Sequence, residues 1–310
     1  MNSSKRLSLI GAFLLILVAV PLFVKRNDIL TWITFTLIYI TLSQSWNIIG
    51  GYCGQQNLGH AAFFGIGALL TRYVWLAGVP LPAAMLLGAL AACIFAIIIG
   101  FPAFRLKGVY FIIGTLVMAE ILKMIFDTIL PRANVLPSRM LGAYSLVPRY
   151  YLSLIIAVLT VTIVLWISRS KLGLGLLSIR EDEDAAEALG VNTQKNKLVA
   201  FMISTFLAGL AGGVYAYYAV AAQPGYLFAA VWTFDAVIIV FVGGMGTIMG
   251  PIIGSVFFVL LKQLLSLYLP GGMHVLVFGI LFIIVVLFFP GGLIGLIEKL
   301  RRTKEGGAAN

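Results

Sequence analysis

A chain of 310 residues that is 61% hydrophobic and 10% charged departs from soluble domains, which run about 45–50% apolar and about 25% charged. The net charge of +10 flanks apolar runs, as topology determinants do, instead of gathering on a polar domain, so no nucleic-acid partner is expected. Cys53, Cys93, His60 and His274 are too dispersed for a disulfide framework or a metal cluster. The apolar runs are unbroken and not alternating, which excludes a transmembrane barrel and gives an all-α polytopic membrane protein.

The first run follows Lys5 and Arg6 and resembles a signal peptide, but Pro21-Leu22-Phe23-Val24 offers no small-residue cleavage site, so a retained helix is expected. The predicted spans are 7–24, 29–49, 59–77, 83–104, 109–130, 150–168, 198–221, 229–246, 251–269 and 274–297. One set of loops holds Lys5, Arg6, Arg105, Lys107, Arg169, Lys171, Arg180, Lys195, Lys197, Lys299, Arg301, Arg302 and Lys304. The other holds only Lys25, Arg26, Arg132, Arg139 and Arg149. The positive-inside rule then predicts both termini, the 169–197 loop and the 298–310 tail in the cytoplasm, and the 131–149 loop outside. With Pro131, Pro137 and Pro148, that external loop reads as an ordered excursion. It is either a connector or a docking surface for an extracytoplasmic partner. The whole chain, 1–310, reads as one transmembrane domain.

Two glycine-rich breaks interrupt the helical pattern. One runs from Gly50 to His60 and carries Gln55, Gln56, Asn57 and His60, and the other spans 243–251. Non-helical backbone at membrane depth is tolerated only where protein buries it or where it lines a wet cavity. Each break is therefore either a tight helix turn or a wall of the path, with Gly51, Gln55, Gln56, Asn57 and His60 as translocation-path candidates. One break in each half suggests two pseudo-repeated halves, as in many transporters.

Charges inside spans are costly and functional by default. Glu120, Lys123 and Asp127 share a helical face, and Lys123 can pair with either acid. Asp235 and Lys262 lie at similar depth, so a cross-helix pair is expected, whereas Arg72, near an external end, is expected to snorkel. No nucleophile elbow, metal-ligand pair or phosphate-binding loop occurs, so no enzyme activity, catalytic residue or resident cofactor is expected. If transport is active, either a partner supplies the energy or Glu120, Asp127 and Asp235 carry ions in a secondary transporter.

The segment 169–197 is the longest polar run and holds five of the eleven acidic residues. Ser178-Ile179-Arg180-Glu181 fits a capping box, predicting a helix of about 11 residues, roughly 16 Å long. In that helix Glu181, Asp182, Glu183 and Asp184 crowd the first turn, and Arg180 pairs with Asp184. Gly190 suits the left-handed residue after the last turn, Thr193 caps the next span, and Ala185, Ala186 and Leu189 form a face for a partner groove.

Residues Ile179–Phe201 (IREDEDAAEALGVNTQKNKLVAF), Gly51–Ala68 (GYCGQQNLGHAAFFGIGA) and Arg105–Leu122 (RLKGVYFIIGTLVMAEIL) carry a family resemblance. Leu207–Tyr217, Val242–Gly254 and Phe289-Pro290-Gly291-Gly292-Leu293 add to it. Over nearly the whole length the chain resembles LivM-type permease subunits of bacterial branched-chain amino acid ABC importers. It departs at Cys53-Gly54-Gln55-Gln56-Asn57, where a small residue at 53 and a Ser near 57 are expected, and at Asp235, where relatives often carry Glu. The predicted spans make about ten transmembrane helices, and the resemblance implies a coupling helix with Arg180, Glu181–Ala186, Leu189 and Gly190 at an ATPase. It also implies a homologous LivH-like permease, two ATP-binding cassette subunits that bind ATP and Mg, an extracytoplasmic binding protein and a bacterial inner-membrane location. The same architecture serves urea, amides, sugars and nucleosides, so those remain alternative cargoes.

Overall fold

The computed structural model describes residues 15–24, 26–130 and 134–268, with short stretches beyond (273, 276–277, 279–280, 283–284 and 291–295). Residues 7–14 of the predicted span 7–24, more than half of the predicted span 274–297 and the whole 298–310 tail lie outside the described residues. Residues 15–23, α1, are helical. The chain continues through α2 (Asn27–Asn47), a π-helical turn (Ile48–Tyr52), α3 (His60–Leu76), α4 (Leu81–Ala103), α5 (Val109–Ile129), a short strand β1 (Asn134–Val135), α6 (Ser138–Gly142) and α7 (Leu146–Ser168). Then come α8 (Lys171–Glu181), α9 (Glu183–Ala188), α10 (Thr193–Tyr218), β2 (Ala221–Ala222), α11 (Pro224–Leu227), α12 (Val231–Gly243) and α13 (Met249–Tyr268). Among the described residues, six helical segments are long and apolar enough to cross a membrane: α4, α5, α7, α10, α11 continued by α12, and α13.

The axis of the bundle is α2, although it is too polar to count among those six. From Leu37 through Cys53 every residue is buried, as expected of a helix surrounded by others. Three of its threonines are satisfied within the helix: Thr34 Oγ1 donates to Leu30 O at 2.7 Å, Thr36 Oγ1 to Trp32 O at 2.9 Å and Thr41 Oγ1 to Leu37 O at 3.0 Å. Around it pack α7, α10, α12 and α13. On the far side of α10, α3 approaches it so closely that a Cβ on Gly67 would enter the Gly209 backbone and one on Gly212 would enter Phe64 O, and α4 lies near enough that a Cβ on Gly209 would come 2.8 Å from Ala89 Cα. Small residues bring helices together in lipid because packing, not hydrophobicity, drives association there.

At the end opposite the 169–192 arm, β1 pairs antiparallel with β2, Asn134 opposite Ala222. Arg72 does not snorkel. It is fully buried, and its guanidinium donates to Ala216 O, Ala219 O, Val220 O and Asn134 O at 2.7–3.1 Å. The last carbonyls of α10 have no partner within their helix, and the planar fork of Arg reaches several of them at once. The predicted 131–149 loop is partly helical where described, since α7 begins at Leu146; from its first turns Arg149 lies over Tyr144 and Tyr217 at 3.7 and 4.4 Å and donates to Tyr217 O at 2.9 Å.

Candidate functional site

The 169–192 arm departs from its predicted form. Leu172, Leu176 and Ile179, spaced i, i+4 and i+7, turn one face of α8 inward, with Leu176 and Ile179 fully covered. That face extends the helix back to Lys171, so Ser178 lies inside α8, and its hydroxyl donates to Gly175 O at 2.9 Å instead of capping. The break comes at Asp182, which is extended (φ −159°, ψ 113°) and accepts from Ala185 N at 2.9 Å as the cap of α9. A carboxylate at the cap position also meets the positive end of the helix dipole, with Glu183 and Asp184 behind it. The single helix expected over 179–190 is therefore two, and Glu181 closes the first. Gly190 takes the left-handed conformation (φ +87°) as expected, but Asn192, not Thr193, caps α10 by accepting from Lys195 N at 2.9 Å.

Arg180 does not pair with Asp184. Its Nη1 donates to Gly51 O at 2.9 Å, in the π-helical turn, and lies beside Gly246. Asp184 instead sits 3.4 Å from Lys107 Nζ, and Glu183 accepts from the buried Lys197 at 2.5 Å. Ala186, expected on the outward face, is 2% exposed and packs into the core, whereas Leu189 is 85% exposed beside Ala185, Glu187 and Ala188.

Both helix breaks meet under the arm. Asn47 Oδ1 accepts from Gly246 N and its Nδ2 donates to Thr247 O, both at 2.9 Å, and Gln44 Nε2 donates to Ile248 O at 2.6 Å. Gly51 must be glycine here: a Cβ would collide with Asn47 Oδ1 and lie 2.8 Å from Gly246 N. Thr247 then starts α13, accepting from Gly250 N at 3.0 Å. A π-turn spends an extra residue and loosens the helix ladder, a feature frequent at functional sites. Arg180, Gly51, Asn47 and Gly246 thus join the arm and both breaks in one contact set. Asn47 and Gln44 are absent from the sequence-derived candidates; their signal is a run of amides at the end of an apolar helix, just before glycines.

Of the path candidates, Gly51, Asn57 and His60 are buried, Gln55 is half-buried and Gln56 is exposed. Asn57 holds the turn locally: its Oδ1 accepts from Gly59 N at 2.8 Å and its carbonyl from Trp46 Nε1 at 2.7 Å. His60 Nε2 lies 2.8 Å from Ser45 Oγ. Cys53 is enclosed at the same junction, where burial pushes its thiol up to about 12, with Lys197 pulling the other way and Glu183 adding to the rise.

Towards the opposite end, Lys262 Nζ lies 2.9 Å from Asp235 Oδ2, the cross-helix pair expected between α12 and α13. Tyr39 of α2, not anticipated, donates its hydroxyl to the same carboxylate oxygen at 2.6 Å. Trp232, stacked on Phe64 at 4.4 Å, and Phe258, edge-on to Tyr39 at 5.4 Å, close the apolar surround. On α5, Lys123 pairs with Glu120 at 3.2 Å, both side chains more than a third exposed, and Asp127 lies against Gly225 of α11.

A family model described as "Branched-chain amino acid transport system / permease component" matches residues 28–286. The chain is similar to the "High-affinity branched-chain amino acid transport system permease protein LivM" of Escherichia coli K12, 28% identical over 96% of this chain and 77% of the relative. Its counterpart of the same name in Salmonella typhimurium LT2 is 29% identical over the same shares. The Methanocaldococcus jannaschii protein named "Probable branched-chain amino acid transport permease protein LivH" is 28% identical over 48% of this chain and 49% of its own length. No solved structure matches the chain.

Proposed function

The chain belongs to the family of permease components of branched-chain amino acid transport systems and is a permease subunit of an ATP-binding cassette importer, a transport component and not an enzyme; from that premise we propose how it works. Its cargo is branched-chain or related apolar amino acids, received from an extracytoplasmic binding protein. Two ATPase subunits bind ATP and Mg, and a homologous LivH-like permease completes the pore. The chain is one domain of ten crossings in two related halves, with both termini and the arm in the cytoplasm of a bacterial inner membrane.

The observation that carries the reading is the pinning of the acidic arm by Arg180 to both helix breaks. A push received on Ala185, Glu187, Ala188 and Leu189, with Glu181, Asp182, Glu183 and Asp184 around them, passes through α8 to Gly51 and, beside it, to Gly246. There it meets the π-turn and the start of α13, which are the least regular parts of the bundle. Motion at those points reorients α2 and α13 against one another and opens a path beside Gln55, Gln56, Asn57 and His60. A second permease fits α5, which buries only Phe111, Thr115 and Ala119 on this chain while carrying Glu120 and Lys123. An ion-coupled carrier is disfavoured because Glu120 and Asp235 are each already engaged by a lysine.

The test replaces Glu181–Ala186 with a Gly/Ser linker in the assembled transporter and compares ATP hydrolysis with amino acid uptake in proteoliposomes. Membrane insertion is expected to survive while uptake is lost and the ATPase is detached or uncoupled. Full ATP-dependent uptake by the altered permease would refute the coupling role, and uptake abolished by a protonophore but not by ATP depletion would refute the importer reading.

A further inference from the structure

Where α4 leaves the bundle and α10 enters it, at the arm end, a cavity of about 470 Å³ opens between the two helices. Its floor is apolar, formed by Phe101, Phe104 and Leu198, and its rim carries Arg105, Lys195 and the amide of Asn192. No carboxylate among the described residues lines it. The neighbouring cations are already neutralised, Lys107 by Asp184 and Lys197 by Glu183. Among the described residues, Arg105 and Lys195 have no carboxylate within ion-pair distance. The floor also continues along α4: Ile94, Ile97, Ile98 and Phe101 recur at helical spacing and are all exposed, Phe101 to 63%.

We propose that this cavity binds an anionic phospholipid. The headgroup phosphate lies between Arg105 and Lys195, and an acyl chain runs along Phe101 and the exposed isoleucines of α4. Basic pockets between spanning helices at the membrane edge select anionic headgroups, because each cation near the surface adds attraction that water screens only partly. A zwitterionic headgroup brings its own ammonium and gains nothing from two further cations. A free phosphate satisfies the rim but leaves the apolar floor wet, so the combination of floor and rim favours the lipid over the soluble ion. The position gives the lipid a consequence. Asn192 caps α10 on the cavity rim, so the bound headgroup braces the point where the arm rejoins the bundle.

The experiment places the intact permease, with its partner subunits, in nanodiscs of phosphatidylcholine containing a minor share of phosphatidylglycerol. Native mass spectrometry then counts the lipids retained on release. Phosphatidylglycerol is expected to be retained in preference to phosphatidylcholine. That preference is expected to fall about fivefold for each cation removed in Arg105→Ala and Lys195→Ala, to be kept by Arg105→Lys, and to be unchanged by Lys171→Ala outside the cavity. Because all these side chains are exposed, circular dichroism and complex assembly should match the parent protein. Equal retention of both lipids by the parent protein, or an undiminished preference in the double Arg105→Ala/Lys195→Ala variant, would overturn the proposal. So would displacement of the lipid by millimolar inorganic phosphate or glycerol phosphate, which would identify a site for soluble anions.

Discussion

Replacing Lys262 with Met leaves the Asp235 carboxylate, 10% exposed as a side chain, with Tyr39's hydroxyl as its remaining hydrogen-bond partner among those described. An uncompensated buried charge of this kind costs about 3–5 kcal/mol. The site opens through Lys262, which is 31% exposed, so about 2–3 kcal/mol is the expected loss after discounting for water access. Asp235→Asn is the milder change. Its amide oxygen still accepts from Tyr39, while Lys262 keeps its contacts over Phe258 at 5.2 Å and Tyr39 at 5.5 Å and can turn to the exposed side. About 1 kcal/mol is expected there, the worth of one exchanged hydrogen bond. The double variant strands no charge, so its loss should fall below the sum of the two by about 1.5 kcal/mol. Thermal unfolding of the purified permease in detergent measures all three, each kcal/mol moving the midpoint by roughly 2 °C in a chain of this size. The asymmetry between the two single changes is the discriminating result. Equal losses, or a double variant that is strictly additive, would show that the pair is not energetically coupled and that Asp235 is satisfied in some other way.

The junction under the arm yields two further expectations. Arg180→Met removes a charged donor from Gly51 O, an interaction of about 1.5–3 kcal/mol, without touching the outward face of α9. Uptake per ATP hydrolysed should fall several-fold in proteoliposomes while the complex still assembles and hydrolyses ATP, and unchanged stoichiometry would remove Arg180 from the coupling route. Cys53 gives a pH signature. Its thiol is raised by burial from 9.0 to about 12, so the folded protein holds a proton that the unfolded chain releases. The resulting contribution to stability is complete below about pH 9 and is lost as pH rises from there through about 12. Maleimide labelling at neutral pH should be slow in the native permease and fast after unfolding in detergent, and rapid native labelling would mean that the junction is open.

Local pattern carried much of the architecture. The apolar runs of α4, α5, α7, α10, α12 and α13 were legible because a spanning helix must be long and apolar whatever its neighbours. The arm was legible as an interruption of that pattern, and Asp235 and Lys262 were matched by depth alone. The pseudo-repeat and the tenfold crossing count were not settled by pattern, since the halves share little beyond glycines.

The sequence by itself determined the class of molecule, an all-α polytopic membrane protein with a polar arm, because lipid imposes composition and length on every spanning residue and those constraints are local. Only the tertiary structure decided what each cation touches. Arg72 turned from the membrane surface to the end of α10, and Arg180 turned from Asp184 to Gly51. In both cases an arginine's partner depends on which helix faces it and at what height, which spacing along the chain does not encode. The split at Asp182 was decided in the same way, by burial of Leu176 and Ile179 against the bundle. That packing carried α8 one turn past the local capping signal at Ser178 and left the stronger cap to begin α9.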